Sequence, residues 1–383
     1  NNSTGDHNTG IGTYAGLGNR TGDNNTFVGS NAGLSDNVSS HSDNVGIGSS
    51  ALGVVSTGSS NTAVGKSALV ALTTGSSNVA IGKSSMVTAT TAAENVAIGE
   101  SSLQSIHTGS GANVAVGFYA MRNVDEGTGG GDADYNIAIG YDALKGGDFA
   151  SNDRQLQGNI AIGMQAMNST DDNAQTGTIA IGHQSLKALT SGARNTAVGY
   201  QAMDQLTVGE DNVAFGYGAL GGASTSSENK RNVAIGSSAM SGTNAGAAQN
   251  IAIGYAALDG NLTSAADDNV AVGYYALSGI TSGTRNTAIG TNAGATSTDV
   301  DKTVLIGYNA GGSNMTSDAD GTIAIGEHAG YALTSGIANV ALGFQALFAE
   351  DDGDFNTAVG YKALNDQTGV SGTVANTAVG YLA

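Results

Sequence analysis

Asn195-Thr196-Ala197-Val198-Gly199-Tyr200-Gln201-Ala202-Met203 is one of twenty-one near-copies of the same nine residues. The copies run from Asn8-Thr9-Gly10-Ile11-Gly12 through Asn113-Val114-Ala115-Val116-Gly117 to Asn376-Thr377-Ala378-Val379-Gly380, with no long unrelated segment between any two. Measured between fifth-position glycines, half of the steps are 17 residues, as from Gly65 to Gly82 to Gly99 and from Gly182 to Gly199 to Gly216. The others are 18 to 20, except Gly117 to Gly140 and Gly140 to Gly163, which are 23 each. A motif of constant length joined by links of drifting length marks stacked supersecondary units, each touching mainly its neighbours.

Within the unit, position one is Asn except at Thr178, Thr303 and Thr322, position four is Ile or Val except at Phe215 and Leu342, and position five is always Gly. Position eight is always Ala or Ser. With period 2, Val, Ile and Thr at positions two and four share one strand face, while Asn, Ala and Gly share the other. Neither face carries charge, so the strand is expected to be buried on both sides, as in a stacked parallel array. Helix loses because a Gly in every copy costs about 1 kcal/mol against Ala and the run is short and β-branched. The expectation is an all-β, repetitive parallel β-solenoid with two short strands per turn. It is one continuous body over residues 1–383, with longer loop insertions at 123–135 and 145–158.

Stacking near-identical turns about 4.8 Å apart allows each Asn amide to donate to one neighbour and accept from the other, as in cross-β ladders. The expected ladder runs through Asn61, Asn78, Asn95, Asn195, Asn212, Asn286 and Asn356. Beside it runs a glycine column with Gly65, Gly82, Gly99, Gly199, Gly216, Gly290 and Gly360. These positions are structural, with no catalytic part.

The chain has 60 Gly and no Pro, and Gly does not fall at every third residue. Low-complexity linkers are rich in both residues, and collagen needs the strict triplet, so neither fits. A coil whose strand amides bond to the next turn excludes Pro instead. A net charge of −19 disfavours phosphate-backbone binding to DNA or RNA. The absence of Cys removes disulfides, thiolate metal sites and cysteine nucleophiles. No apolar run approaches a membrane span, so no membrane insertion is expected.

From Phe118 onward an aromatic residue often follows the fixed Gly: Tyr141, Tyr200, Tyr217, Tyr255, Tyr274, Tyr308, Phe344, Tyr361 and Tyr381. Repeated at one position, the rings are expected to stack along the coil, as a stiffening ladder or as a carbohydrate-stacking strip. The links are rich in Thr, Ser, Gly, Asn and Asp, as in Thr74-Gly75-Ser76-Ser77, which are turn residues. The two long insertions belong to consecutive steps and are the first place to look for recognition.

Catalytic or cofactor chemistry is scarce. His7, His41, His107, His183 and His328 fall in different copies, without metal-ligand spacing. Acidic clusters at Asp171-Asp172, Asp267-Asp268 and Glu350-Asp351-Asp352-Gly353-Asp354 could hold calcium or be solvated loop acids, and none matches an EF-hand loop. No other cofactor is expected. A polysaccharide-cleaving solenoid needs paired carboxylates in register. Acids within the motif are limited to Glu100, Asp142 and Glu327, so a non-enzymatic chain is expected. Ice binding by a flat Thr face is disfavoured because Thr and Val interchange at position two.

Asn95-Val96-Ala97-Ile98-Gly99-Glu100-Ser101-Ser102 and its relatives resemble the head repeats of trimeric autotransporter adhesins. The form at Asn356 to Leu364 resembles repeats of phage tail-fibre and adhesin-like proteins. The resemblance covers almost the whole chain. It implies a left-handed β-roll intertwined as a homotrimer. The function implied is that of a structural fibre or adhesion rod of a virion or cell-surface appendage, extracellular, presenting loops to a host-cell or surface glycan or protein. The alternatives are the head of a bacterial adhesin and a self-stacking filament subunit.

Position three is Ala or Gly in every copy except Phe27 and Leu305, which suggests close backbone approach. The expected oligomer interface therefore runs along this column, through residues such as Ala197 and Ala214. Unpaired strand edges at the two ends are expected to be covered, by further polypeptide or by end-to-end stacking.

Overall fold

The computed structural model describes residues 4–35, 39–106, 109–124, 132–146, 155–170, 175–222, 226–227, 229–368 and 371–383. The middles of the two long insertions, together with His107 and the Asp171-Asp172 pair, lie outside the described residues. The chain is an all-β parallel solenoid with two compact units, residues 1–194 and 195–383.

Each coil contributes one three-residue strand, formed by positions two to four of the motif. Val79–Ile81 and Val96–Ile98 are examples in the first unit, Thr196–Val198 and Val213–Phe215 in the second. Neighbouring strands pair in parallel without slip. Ala63 faces Ala80, which faces Ala97, and in the second unit Ala197 faces Ala214, which faces Ala234. Like residues therefore stack on like, and whatever one position does is repeated in every rung.

The fixed Gly ends the strand for two reasons. In Gly65, Gly82, Gly99, Gly199, Gly216, Gly290 and Gly360, φ lies between 133° and 141°, a region that L side chains rarely adopt. A Cβ on Gly65 would also stand 2.5 Å from the carbonyl oxygen of Gly82 in the next coil. Backbone contact between successive turns thus excludes every other residue.

Two left-handed corners follow, and in most coils the residues there are not glycine. In the coil that begins at Asn61 they are Ser67 at φ 58° and Leu69 at φ 51°. A left-handed conformation costs roughly 1–2 kcal/mol per residue. At position nine the cost is offset by burial, since Leu69, Met86 and Leu103 are fully buried, worth about 1.5–3 kcal/mol for such a side chain. The Leu69 N–H also donates to the carbonyl of Ser85 in the next coil at 3.1 Å.

The return side of the coil is built mostly from turns. A second strand appears as Asp132–Asp134, Gln155–Gln157 and Gln175–Thr176, which form one parallel sheet, and as Gly353–Asp354 paired with Gly372–Thr373. Asp132–Asp134, Gln155–Gln157 and Gln175–Thr176 lie in steps of 23, 23 and 19 residues and Gly372–Thr373 in one of 20, whereas Gly353–Asp354 lies in the 17-residue step from Gly343 to Gly360. The 17-residue coil that holds Ser77 keeps turns there, bonded from coil to coil, with Ser77 N–H donating to Ser59 O at 3.0 Å.

The interior corrects the expected interface. Ala197 and Ala214, like the other position-three alanines from Ala63 to Ala358, are fully buried inside their own coil, with the Leu or Met of position nine and a further apolar column at position twelve that includes Leu72, Ile106, Leu206 and Ile280. The column is small because it faces those side chains within one chain, not because another chain approaches it. The two exceptions follow the same volume logic. Phe27 fills its coil, and a Cβ placed on Gly33 would lie 2.5 Å from its ring. A Cβ on Gly294 would lie 2.7 Å from Leu305. Both coils with a large position three have Gly at position nine, Gly33 and Gly311.

Candidate functional site

The buried Asn column is a hydrogen-bonded ladder. The Asn61 side-chain amide donates to Asn44 Oδ1 at 3.1 Å and to the Gly75 carbonyl at 3.0 Å, and the Asn61 backbone N–H donates to the same Asn44 Oδ1 at 2.9 Å. Asn78 does the same to Asn61 Oδ1, at 3.0 Å from both nitrogens, and Asn95 to Asn78. In the second unit Asn212 bonds to Asn195, Asn286 to Asn269, and the Asn356 N–H donates to Asn339 Oδ1. The Oδ1 atoms of Asn44, Asn61, Asn78, Asn195 and Asn269 thus each take a backbone and a side-chain donor, a doubling that the spacing alone did not indicate. At Thr303 the hydroxyl substitutes, donating to Asn286 Oδ1 at 2.7 Å.

A second column lies two residues before the motif Asn. There a side chain accepts the backbone N–H of the same position one coil earlier. Ser59 N–H donates to Ser76 Oγ at 3.0 Å, Ala248 N–H to Asp267 at 2.6 Å, Thr284 N–H to Asp301 at 2.6 Å, and Ile337 N–H to Asp354 at 3.0 Å. Asp267 and Asp354, members of the acidic clusters, are therefore coil-to-coil acceptors. The signal was present as Asp, Ser or Thr recurring at one offset from Asn. Asp320, which accepts from Asp301 N–H at 2.7 Å, is held above the usual carboxylate range by burial, against the lowering effect of that bond.

Glu350, Asp351 and Asp352 bring carboxylate oxygens within 4.8 Å of one another. Glu350 is buried, and both its oxygens are engaged by the chain: Gly353 N–H donates at 2.7 Å and Asp352 N–H at 3.3 Å to one, the Gln367 amide to the other. Desolvation, then the charges of Asp351 and Glu350, raise Asp352 above the usual carboxylate range. Among the described residues the histidines do not meet. His41 is buried edge-on against Phe27, and burial lowers it to about 4, whereas His328 packs against Tyr308 and Tyr331.

The surface with most to offer is the outward strand face. Positions two and four, which the sequence led us to expect buried, are half-buried or exposed: Ile81, Ile98, Ile139 and Ile181 in the first unit, Phe215, Ile235, Ile253 and Ile289 in the second. Throughout the motif copies these positions hold Thr, Val, Ile, Leu or Phe and never a charge. Each unit thus presents a continuous apolar sheet face of identical steps. Contiguous apolar patches of this kind on soluble proteins mark interaction surfaces.

No family model and no curated protein matches the chain. The apolar face is bordered along one side.

That border is the aromatic column at position six. Phe118 and Tyr141 stack at 5.8 Å in the first unit. In the second, Tyr200 and Tyr217 stack at 5.6 Å, Tyr255 and Tyr274 at 5.3 Å, and Phe344, Tyr361 and Tyr381 at 5.2 Å for each step. The expected ladder exists in pairs and one triple, interrupted where position six is Ser237, Thr291 or Glu327. A hydrogen bond to Tyr255 holds the Tyr275 hydroxyl above the usual phenol range. Among the described residues no helix is long and apolar enough to cross a membrane.

Proposed function

We propose that the chain is a non-enzymatic structural element of an extracellular or virion appendage, a fibre or adhesion segment that self-associates through its outward strand face and presents its loops for surface recognition. The observation that supports this reading is the uncharged Val/Ile/Thr face left uncovered in each unit. Covering such a face rung by rung takes a partner with the same axial repeat, about 4.8 Å, and a second copy of the chain has it by construction. Three copies are the natural number given the likeness of the repeats to adhesin heads, with the outward faces meeting at the centre and the Tyr column at the rim, where aromatic residues are enriched in interfaces. The occupants of the loops would be a host-cell or surface glycan or protein, with calcium at the acidic loops as an accessory.

The test replaces the outer face and leaves the inner one intact. Ile235→Lys with Ile253→Lys is expected to yield a folded monomer, read by sedimentation and circular dichroism, from a wild type that sediments as a trimer. A wild-type chain that is monomeric at all concentrations overturns the reading.

A further inference from the structure

The geometry points to the stacked tyrosine pairs Tyr200–Tyr217, Tyr255–Tyr274 and Tyr361–Tyr381 as oxidative coupling sites, at which a one-electron oxidant joins successive coils of one chain by dityrosine bonds. Three observations lead there. First, the chain contains no Cys and no Trp, so the side chains that usually yield an electron before tyrosine are missing. Second, Met86, Met121, Met167, Met203, Met240 and Met315 are buried, which leaves Met164 as the exposed thioether. Third, the tyrosines are exposed and already paired. Tyr255 and Tyr274 are 46% and 50% accessible, with ring centroids 5.3 Å apart and planes within 15°. Tyr200–Tyr217 and Tyr361–Tyr381 match at 5.6 Å and 11°, and 5.2 Å and 13°. Tyr275 lies 4.5 Å from Tyr274 and 5.5 Å from Tyr255, so three phenols from two coils share one patch.

The chemistry is balanced with a peroxide as terminal oxidant and a haem peroxidase as catalyst. Each phenol loses one electron and its hydroxyl proton, leaving a neutral radical with spin on the carbons ortho to oxygen. Two such radicals form a carbon–carbon bond between ortho carbons, and the two displaced ring protons return to the oxygens by tautomerisation. One hydrogen peroxide and two tyrosines thus give one dityrosine and two waters. Near-parallel exposed rings with centroids 5.2–5.6 Å apart place the two phenoxyl radicals side by side before the bond forms. Each bond would tie neighbouring coils together on the side that borders the apolar face. The pairing belongs to a single chain and does not depend on self-association.

The experiment treats the dilute protein with a haem peroxidase and hydrogen peroxide, denatures it, and measures intact mass and peptides after cleavage at aspartates. Asp259 separates Tyr255 from Tyr274, Asp204 separates Tyr200 from Tyr217, and Asp366 separates Tyr361 from Tyr381. The expected product has single-chain mass less two hydrogens per bond, with linked peptides at the three pairs. Tyr200→Phe should abolish the first link and leave the third. Dityrosine found only between chains, links scattered without regard to the stacked pairs, or yields unchanged in a Tyr200→Phe, Tyr255→Phe, Tyr361→Phe variant would overturn the assignment, as would its complete absence.

Discussion

Ala80 and Ile81 are adjacent in one strand, yet the first has no accessible surface and the second is 38% exposed. The two faces obey different constraints. On the inner face every residue is sized by its own chain: Ala where Leu or Met fills position nine, and Phe27 or Leu305 only where glycine makes room. On the outer face size drifts among Thr, Val, Ile, Leu and Phe, and only the absence of charge is held. The inner face is selected for packing within the coil, the outer for tolerance of a surface that lies outside it.

The sharpest way to break the contrast is to place a charge on each side. Ala214→Glu puts an unpaired carboxylate in a sealed core and is expected to cost on the order of 5 kcal/mol, enough to unfold the surrounding coils. In chains diluted to the monomer, Ile235→Glu on the outer face should change stability by less than about 1 kcal/mol. Denaturant melts of both variants test this. Equal losses would mean that the outer face is sealed as well.

Titration separates the faces next. His41 is buried and lowered to about 4 from an ordinary value near 6.5, by desolvation. Between those values the unfolded chain takes up a proton that the folded chain refuses. The stability present above pH 6.5 is therefore lost as pH falls through about 4, by roughly 3 kcal/mol in all. Hydrogen exchange of the coils around Phe27 at pH 7 and pH 4.5 should show the drop, and His41→Gln should flatten it.

A smaller effect comes from the ladder between the faces. Asn195→Ala removes the acceptor of Asn212 N–H and of the Asn212 amide, and the donor to Gly209 O, and should cost about 2 kcal/mol, localised to the neighbouring coils by hydrogen exchange. Unchanged exchange there would argue against a ladder that contributes to stability.

The smallest belongs to the loop column. Because Asp320 is raised above its ordinary value, its ionisation is disfavoured in the fold, and the stability it contributes is fully present below the unfolded value near 3.8 and lost as pH rises through the folded one. Asp320→Asn keeps an acceptor for Asp301 N–H. It should leave stability unchanged at low pH and raise it slightly at pH 7, measured by paired melts. A destabilised variant at pH 7 would show that the charge strengthens this bond.

Much of this was legible in the sequence because a repeat reports its own constraints many times over. The invariant Gly, the Asn column and the strand at positions two to four could be read because each residue type has one physical reason to recur at that place: a close backbone approach, a self-complementary amide, a β-branched run. The Asp, Ser and Thr column was equally periodic, but those residues also populate ordinary turns, so composition masked its role.

What only the tertiary structure decided was direction. Period-two alternation separates Ala from Ile but does not say which of them points into the coil. That depends on where the left-handed corners turn the chain and on the Leu and Met that those corners bury. The sequence by itself determined the repeat, the parallel stacking and the hydrogen-bonded columns, since these follow from identity between neighbouring turns. The structure decided that alanine is the core and isoleucine the surface, because the interior volume of a coil is set by how its corners close.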